Sequence, residues 1–203
     1  MAQAKWLLFD LGGVLVDYVG AARINAWLQR PADDWELSRH WLYSPTVRAF
    51  ESGRISPVVF ATELVAEMGL QVHPDEFLRE FPNFVTGYFP GAEELLATLA
   101  SRHPLALLSN TNALQWEKLC RTTYTDRLFR KVFLSFRTGF LKPDREAFLN
   151  VVENLGVEPD RILFFDDNPD NVRGALNVGM EAMHVLGFED MRGKIRAMGL
   201  VDF

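Results

Sequence analysis

Short apolar runs that end in polar residues recur along the chain. They are WLLFDL (6–11), LALLSN (105–110), KVFLSF (131–136) and ILFFDD (162–167), with EAMHVL (181–186) as a fifth candidate. Continuous apolar character over so few residues is typical of strands that are covered on both faces, as in a parallel sheet. The pattern therefore predicts a buried parallel sheet.

Helical patterns lie between these runs. They are PGAEELLATLASR (90–102), NALQWEKLCRT (112–122), DREAFLNVVENLG (144–156) and NPDNVRGALNVG (168–179). Gly156 and Gly179 are predicted helix ends, and Asn168 before Pro169 predicts an N-cap followed by a first-turn proline. Strands that alternate with helices predict a doubly wound α/β fold.

The segment 18–88 separates the first predicted strand from the second by far more residues than one crossover needs. Its helical patterns are GAARINAWLQR (20–30), DDWELSRHWLY (33–43), SPVVFATELVAEMGL (56–70) and HPDEFLREF (73–81). A helical insertion after strand one is the simplest account. Because it holds Trp27, Trp35 and Trp41, we expect it to have a small core of its own.

Composition narrows the class of protein. The chain has 203 residues, of which 48% are hydrophobic, enough for one domain with an insertion or for a core with a small second domain. The net charge of -6 and the lack of a lysine-rich run argue against a nucleic-acid partner. A small-molecule partner is expected, while the oligomeric state is left open by the sequence.

Several features predict a cytoplasmic protein without a membrane role. The single cysteine, Cys120, cannot form an internal disulfide. The first residues lack the pattern of a signal peptide, and each apolar run is broken well short of the ~18 residues that a membrane span needs.

Polar residues cluster where the predicted strands end. In doubly wound folds, ligands bind beyond the carboxyl ends of the strands. That rule brings together five residues that are far apart in sequence: Asp10, Ser109, Asn110, Asp166 and Asp167.

The residues around Asp10 suit an anion and a cation. Gly12 and Gly13 let backbone N–H groups approach a phosphate without side-chain obstruction. Asp166 and Asp167 are adjacent carboxylates of the kind that bind a hard cation such as Mg²⁺. This cation would offset the repulsion between Asp10 and a phosphoryl group.

Two further side chains complete the predicted chemistry. Lys142, before Pro143, supplies a fixed positive charge, and Ser109 supplies a hydroxyl donor. The set favours phosphoryl transfer with Asp10 as the nucleophile and an aspartyl-phosphate intermediate. Each residue alone has an ordinary explanation as a turn former, helix cap or surface group, so the prediction depends on the ordered combination.

Four stretches, FDLGGVL, LLSN, KP and FFDDNPDN, resemble in order the four motifs of the haloacid dehalogenase-like (HAD) hydrolase superfamily. FESGRIS (50–56) also resembles the cap of its subfamily I. The resemblance implies a Rossmann-like core formed by 1–17 and 89–203, with a helical cap over 18–88. It also implies a Mg²⁺-dependent phosphatase, and the form of the first motif resembles that of sugar-phosphate phosphatases.

The resemblance assigns a role to each matching residue. Asp10 matches the nucleophile, Ser109 the phosphate-binding hydroxyl, and Lys142 the lysine of the third motif. Asp166 and Asp167 match the acids of the fourth motif, with Asp167 the favoured direct metal ligand.

Two more positions follow from the same resemblance. Asn171 matches a supporting position in the helix after the paired acids, and the backbone carbonyl of Gly12 matches a metal ligand. Gly12 is also the one departure, since most phosphatases of the family carry there an Asp that protonates the leaving oxygen and then activates water. Proton transfer typically contributes about 10²–10⁴-fold, so its loss predicts slower turnover without loss of the nucleophilic step. Asp17 is a candidate water-mediated relay, although a polar residue of a surface flap is the favoured interpretation.

Three functions are compatible with these residues. The first is a Mg²⁺-dependent phosphatase acting on a small phosphorylated metabolite. The second is a catalytically weak module that binds a phosphorylated ligand or a protein partner, which only Gly12 supports. The third, metal-independent haloacid dehalogenation, is disfavoured by the acid pair Asp166-Asp167.

Overall fold

The computed structural model describes residues 5–123 and 125–201. The strands in this part of the chain are β1 (Trp6–Phe9), β2 (Val16–Tyr18), β3 (Val85–Tyr88), β4 (Leu105–Ser109), β5 (Lys131–Leu134), β6 (Ile162–Asp166) and β7 (Glu181–His184). Five of them form a parallel sheet in the order β5-β4-β1-β6-β7, with β1 in the centre. The α/β class and the parallel sheet predicted from the sequence are confirmed.

The helices of the described residues are α1 (Gly20–Trp27), α2 (Asp34–Tyr43), α3 (Pro45–Glu51), α4 (Pro57–Met68), α5 (Pro74–Glu80), α6 (Ala92–Ala100), α7 (Ala113–Thr122), α8 (Thr125–Leu128), α9 (Ser135–Thr138), α10 (Arg145–Leu155), α11 (Pro169–Asn177) and α12 (Phe188–Ala197). Helix α10 ends at Leu155 with Gly156 as its C-cap, and Asn168 caps the start of α11, as predicted. Helix α11 ends at Asn177 with Val178 as its C-cap, and Gly179 follows with a φ of +90°, so Gly179 marks the end of this helix as predicted.

The sheet is covered on both faces, which explains its continuous apolar strands. Leu7 and Phe9 of β1 pack against α6, α7 and α12, whereas Leu8 points to the opposite face, where α10 and α11 lie. The predicted strand 131–136 is too long by two residues. Ser135 begins α9 instead, because its hydroxyl bonds both the N–H and the carbonyl of Thr111.

The segment after β1 contains α1 to α5 and a short 3-10 helix, Phe81–Phe84. Its apolar side chains form a separate cluster centred on five buried phenylalanines: Phe50, Phe60, Phe77, Phe81 and Phe84. Trp27 and Trp41 pack against this cluster as expected, but Trp35 lies outside it and is 66% exposed. Arg39 covers the exposed indole of Trp35.

The antiparallel pair β2–β3 connects this segment to the sheet. The predicted boundary at 17/18 falls inside β2, and the boundary at 88/89 falls at the end of β3. The division into core and cap residues stays a prediction.

The C-terminal part packs on the core through α12 and the residues after it. Phe188, Met191, Ile195 and Val201 are buried in the same cluster as β1, while Phe203, which the sequence left open to packing on the core or on a partner, lies outside the described residues. In the described part of the chain, no helix has both the length and the apolar character needed to cross a bilayer.

Candidate active site

The carboxyl ends of three adjacent strands meet at one edge of the sheet. Asp10 follows β1, Ser109 ends β4, and Asp166 and Asp167 lie at the end of β6. Carboxylate oxygens of Asp10, Asp166 and Asp167 lie within 4.8 Å of one another. The structure therefore brings together the acids that the sequence predicted at this edge.

Lys142 is the cation at the centre of this group. Its side chain is 1% exposed, and its Nζ donates to Asp10 Oδ1 at 2.5 Å and to Asp166 Oδ2 at 2.7 Å. Asn110 fixes the backbone of Lys142 from both sides, since its Nδ2 donates to the Lys142 carbonyl and its Oδ1 accepts from the Lys142 N–H, each at 2.9 Å. The Asn110 side chain thus positions Lys142, and both its amide nitrogen and its amide oxygen are already used in doing so.

Asp166 is fully buried, and both of its carboxylate oxygens accept hydrogen bonds. Its Oδ1 accepts from the Asn168 N–H at 2.8 Å and from Asn171 Nδ2 at 3.0 Å, while its Oδ2 accepts from Lys142 and Asn171. Asp166 therefore orients its neighbours, and Asp167, which is exposed to solvent, is left as the acid able to reach a metal ion.

Gly13 makes room for Asp167. A Cβ at position 13 would lie 2.4 Å from Asp167 Oδ2, and the φ of +75° is itself unfavourable for a residue with a side chain. The Gly13 N–H donates to the Val16 carbonyl at 2.8 Å. The predicted contact of this N–H with phosphate is therefore not available, because the turn already uses it.

Gly12 differs from its neighbour. It lines the cavity, its φ lies outside the left-handed region, and a Cβ built on it meets no atom within 4 Å. The backbone at position 12 thus has no steric need for glycine.

Two polar groups at the site are free to accept or donate. Asn171 Oδ1 is buried without a hydrogen-bond partner. Ser109 Oγ has only a long contact of 3.4 Å, to the Asn110 carbonyl. Both residues line the cavity, so both groups are available to a bound ligand or its water.

The site carries an excess of negative charge. Burial, opposed by Lys142 and reinforced by Asp166 and Asp167, raises the pKa of Asp10 to about 7. Asp167 keeps contact with solvent, but the partial loss of its hydration and the charge of Asp166 outweigh the charge of Lys142 and raise its pKa to about 6. Burial alone would lower the pKa of Lys142, but Asp10 and Asp166 outweigh it and hold that pKa above its usual range. A divalent cation would relieve this charge, and an all-oxygen donor set suits a hard ion such as Mg²⁺.

The cavity over these residues has a volume of about 410 Å³. Core residues form its floor, and Ile24, Leu37, Trp41 and Met68 of the inserted segment form its opposite wall. A volume in the lower part of the usual 300–1,000 Å³ range for ligand sites suits a small molecule.

Asp17 is not part of the cavity wall. It lies exposed on β2, where its carboxylate accepts from Thr86 Oγ1 at 3.2 Å. This placement matches the surface-flap interpretation and gives no support to a proton relay.

The sequence analysis overlooked Glu51, which lines the cavity from the inserted segment. It ends α3, is 7% exposed, and accepts a hydrogen bond on Oε1 from Trp41 Nε1 at 3.1 Å. Burial raises the pKa of Glu51 to about 7, and the charge of Asp10 acts in the same direction, while Trp41, Lys142 and Arg48 oppose it. Its sequence signal is FESGRIS (50–56), the stretch that resembles the cap of subfamily I and contains this acid.

Comparisons with known proteins agree with this site. Residues 4–179 match the sequence model of the haloacid dehalogenase-like hydrolases. The flavin mononucleotide hydrolase 1 of Arabidopsis thaliana is 36% identical over 110 residues, which cover 52% of this chain and 43% of that protein, so the chain matches less than half of that relative. The D-ribitol-5-phosphate phosphatase of Bacteroides thetaiotaomicron is 23% identical over 198 residues, covering 94% of this chain and 96% of that protein.

A solved structure is also similar to this chain over most of its length. A HAD family enzyme from Bacteroides thetaiotaomicron, in complex with magnesium and inorganic phosphate, is similar with a TM-score of 0.70 and 25% sequence identity, covering 90% of this chain and 94% of that one. Since the family match also covers most of the sequence, including all three acids of the site, the chain belongs to the haloacid dehalogenase-like hydrolases.

Proposed function

We propose that this protein is a Mg²⁺-dependent phosphatase that hydrolyses a small phosphorylated metabolite through an aspartyl-phosphate on Asp10. The observation that carries the proposal is the group formed by Asp10, Lys142 and Asp167 at the floor of the cavity. A hydrolase family match and relatives named as phosphatases support the same reaction class.

Asp10 is placed to act as the nucleophile. One of its oxygens, Oδ1, is held by Lys142, so the other is left to face a phosphorus atom in the cavity. Ser109 Oγ and the Lys142 ammonium are the donors that would bind the phosphoryl oxygens and the charge that develops on them. Attack by the Asp10 carboxylate would expel the alcohol, and water would then release phosphate from Asp10.

Asp10, Asp167 and the Gly12 carbonyl are the groups we assign to the metal ion, with Asp166 and Asn171 supporting them from behind. When bound, Mg²⁺ would neutralise negative charge between the carboxylates and the phosphate. The metal ion is needed for an electrostatic reason, because one lysine faces three carboxylates at this site. Without the metal ion, a phosphate dianion would enter a site that is already negatively charged.

The other two functions account for less of the site. Metal-independent dehalogenation gives no use to Asp167, which reaches the cavity beside Asp10 and for which Gly13 leaves space. A module that only binds a phosphorylated ligand gives no use to a carboxylate oriented by Lys142 at the end of the central strand.

The test is phosphate release from p-nitrophenyl phosphate and a panel of sugar and alkyl monophosphates, with Mg²⁺ and with EDTA. We expect release by the wild type only with Mg²⁺. Asp10→Asn should abolish turnover with the fold intact, because the amide keeps the shape of the side chain and is no nucleophile. Asp17→Asn is the matched control, an exposed aspartate seven residues along the chain, and should turn over like the wild type. Turnover by Asp10→Asn would refute the mechanism, and phosphate binding without release by the wild type would favour the binding module.

A further inference from the structure

The proposed reaction needs a proton at the leaving oxygen and later needs one removed from water, and Gly12 offers no side chain for either step. The ionisable side chains among the described residues that line the cavity are Asp10, Tyr18, Glu51, Lys142 and Asp167. Asp10 is the nucleophile, Lys142 keeps its proton in two ion pairs, and Asp167 belongs to the metal group. Two candidates remain, Tyr18 and Glu51.

Tyr18 does not suit the role. Burial of its hydroxyl and the nearby charge of Glu51 hold its pKa well above the usual value, although a bond with Gln115 acts in the opposite direction. A phenol whose pKa is raised further above neutral pH is a weaker acid than an ordinary tyrosine, and it is not ionised and so cannot act as a base.

We propose that Glu51 is the acid–base residue of this site. From the opposite wall of the cavity, it fills the role that a carboxylate at position 12 has in most phosphatases of the family. The inference rests on the phosphatase function proposed above and names the residue that completes it. Its basis is a buried carboxyl group that lines the cavity from the inserted segment and that has no ion-pair partner among the residues the structure describes.

Contacts between α3 and the core fix where Glu51 lies. Gly53 packs so closely on the Phe136 carbonyl that a Cβ there would lie 2.7 Å from the oxygen. Arg48, on the same helix, forms an ion pair with Asp144, just beyond Lys142 along the chain. The end of α3 is therefore held against the edge of the sheet that carries Asp10 and Lys142.

Packing on the other side fixes the direction of the carboxyl group. Phe50, beside Glu51, stacks on Phe60 with ring centroids 4.0 Å apart, and Trp41 stacks on Phe81. The Trp41 Nε1–H donates to Glu51 Oε1. Since an indole N–H only donates, this bond holds Oε1 in both protonation states and leaves Oε2 to carry the exchangeable proton.

The charges around Glu51 suit proton transfer in both directions. Burial is the largest cause of the raised pKa of Glu51. The charge of Asp10 also raises this pKa, whereas the charges of Lys142 and Arg48 lower it. With a pKa of about 7, both the acid and the carboxylate are populated near neutral pH. Such a group can give a proton in the first step and take one in the second.

The proposed reaction has two steps. An Asp10 oxygen bonds to phosphorus while the bond from phosphorus to the leaving oxygen breaks, and that oxygen takes the Oε2 proton, giving an alcohol, aspartyl-phosphate and a Glu51 carboxylate. The carboxylate then takes a proton from water as the water oxygen bonds to phosphorus and the phosphorus–Asp10 bond breaks. Inorganic phosphate leaves, and Asp10 and protonated Glu51 are restored.

Glu51→Gln tests the proposal, because the amide oxygen still accepts from Trp41 while the exchangeable proton is lost. The wild type is first assayed with the panel above, and a wild type without phosphatase activity would refute the proposed function itself. With the alkyl phosphate that the wild type hydrolyses fastest, we expect kcat/KM of Glu51→Gln to fall by about 10²–10⁴-fold. With p-nitrophenyl phosphate, whose leaving group departs without a proton, we expect a rapid burst of p-nitrophenolate followed by slow turnover.

A variant with a carboxyl group at position 12 distinguishes a role of Glu51 in proton transfer from a role in substrate binding. Gly12→Asp has open space around the new side chain and an ordinary φ, so it is introduced into the Glu51→Gln protein. Restoration of alkyl phosphate turnover by at least about tenfold supports the proposal. A loss that stays in the double variant, with Mg²⁺ affinity and melting temperature unchanged, would assign Glu51 to substrate binding and overturn it.

The control is Glu67→Gln, which changes an acid of the same inserted segment. Glu67 pairs with His40 Nε2 at 2.9 Å on a separate depression and does not line the active-site cavity. It should match the wild type with both substrates. Equal kcat/KM values for Glu51→Gln and Glu67→Gln on the alkyl phosphate would overturn the role of Glu51 while leaving the phosphatase function in place.

Discussion

Replacing Gly13 by alanine should damage the metal site, whereas the same change at Gly12 should not. The two residues are adjacent, and each variant adds one methyl group. At position 13 the new Cβ would lie 2.4 Å from Asp167 Oδ2, at least about 1 Å inside the ordinary contact range of 3.4–4 Å. At position 12 it meets no atom within 4 Å. The pair therefore isolates the space that Asp167 needs.

Two costs add at position 13. A residue with a side chain at φ +75° costs about 1–2 kcal/mol relative to glycine. The carboxylate of Asp167 must also move, and displacement of a metal ligand or its support typically weakens metal affinity by about 10–100-fold. At Gly12, with an ordinary φ, alanine removes unfolded-state freedom and should change stability by less than about 1 kcal/mol, in the stabilising direction.

Urea unfolding gives the stability of each variant, and titration calorimetry with MgCl₂ gives its metal affinity. We expect Gly13→Ala to lose about 1–2 kcal/mol of unfolding free energy without Mg²⁺ and at least about tenfold in affinity. Gly12→Ala should keep both values. Equal Mg²⁺ affinity in the two variants would refute the assignment of Asp167 as a metal ligand that depends on Gly13.

The charges of the site lead to four further predictions. Lys142→Met should lower the unfolding free energy by about 3–5 kcal/mol in urea titrations, because it leaves two buried carboxylates unpaired; a loss below about 1 kcal/mol would contradict the ion-pair account. The kcat/KM for alkyl phosphates should fall as pH rises above about 7, where Glu51 loses its proton, and this limb should be absent from the pH profile of Glu51→Gln. The pKa of Glu51 is raised in the folded state, so its contribution to stability is fully present below its ordinary pKa of about 4.5 and is lost as pH rises through about 7. Between these two pH values, the wild type should therefore lose unfolding free energy relative to Glu51→Gln. Monophosphates whose organic part carries no charge should be hydrolysed faster than 2-phosphoglycolate. The reason is that Lys142 is the one Lys or Arg among the described residues lining the cavity, and it is already paired. Faster hydrolysis of 2-phosphoglycolate would contradict this assignment of charge.

The sequence predicts the sheet well because the sheet is covered on both faces. Buried parallel strands such as β4 and β6 are apolar throughout, so they stand out as short runs that end where the polar chemistry begins. The strands β2 and β3 carry no such signal. They have three and four residues, are partly exposed and pair only with each other, so no continuous apolar run marks them.

The structure brings the three predicted acids together, whereas the contacts around them could not be predicted from the sequence. Asp10 and Asp166 are fixed by strand ends, which the apolar runs locate. The clamp of Asn110 on Lys142 joins residues 32 apart through loop conformations that no periodicity encodes. The position of Glu51 depends on tertiary packing of α3 against both Trp41 and the Phe136 loop, so its part in the cavity emerges only from the folded chain.

The exposure of Trp35 illustrates the same limit. Tryptophan is buried on average, so three tryptophans in one segment predicted a shared core. Trp35 lies in the first turn of α2, on the face opposite Leu37, and faces solvent beneath Arg39. The small core of the segment is built by phenylalanines instead.

Chemical trapping of phosphorylated Asp10 is the most direct test of the central claim. The protein would be mixed with Mg²⁺ and p-nitrophenyl phosphate, quenched in acid within the burst, reduced with borohydride and digested for mass spectrometry. We expect conversion of residue 10 to homoserine in the wild type, a higher yield in Glu51→Gln, where breakdown of the intermediate is slow, and none in Asp10→Asn. Steady release of phosphate with residue 10 unmodified in every sample would contradict it.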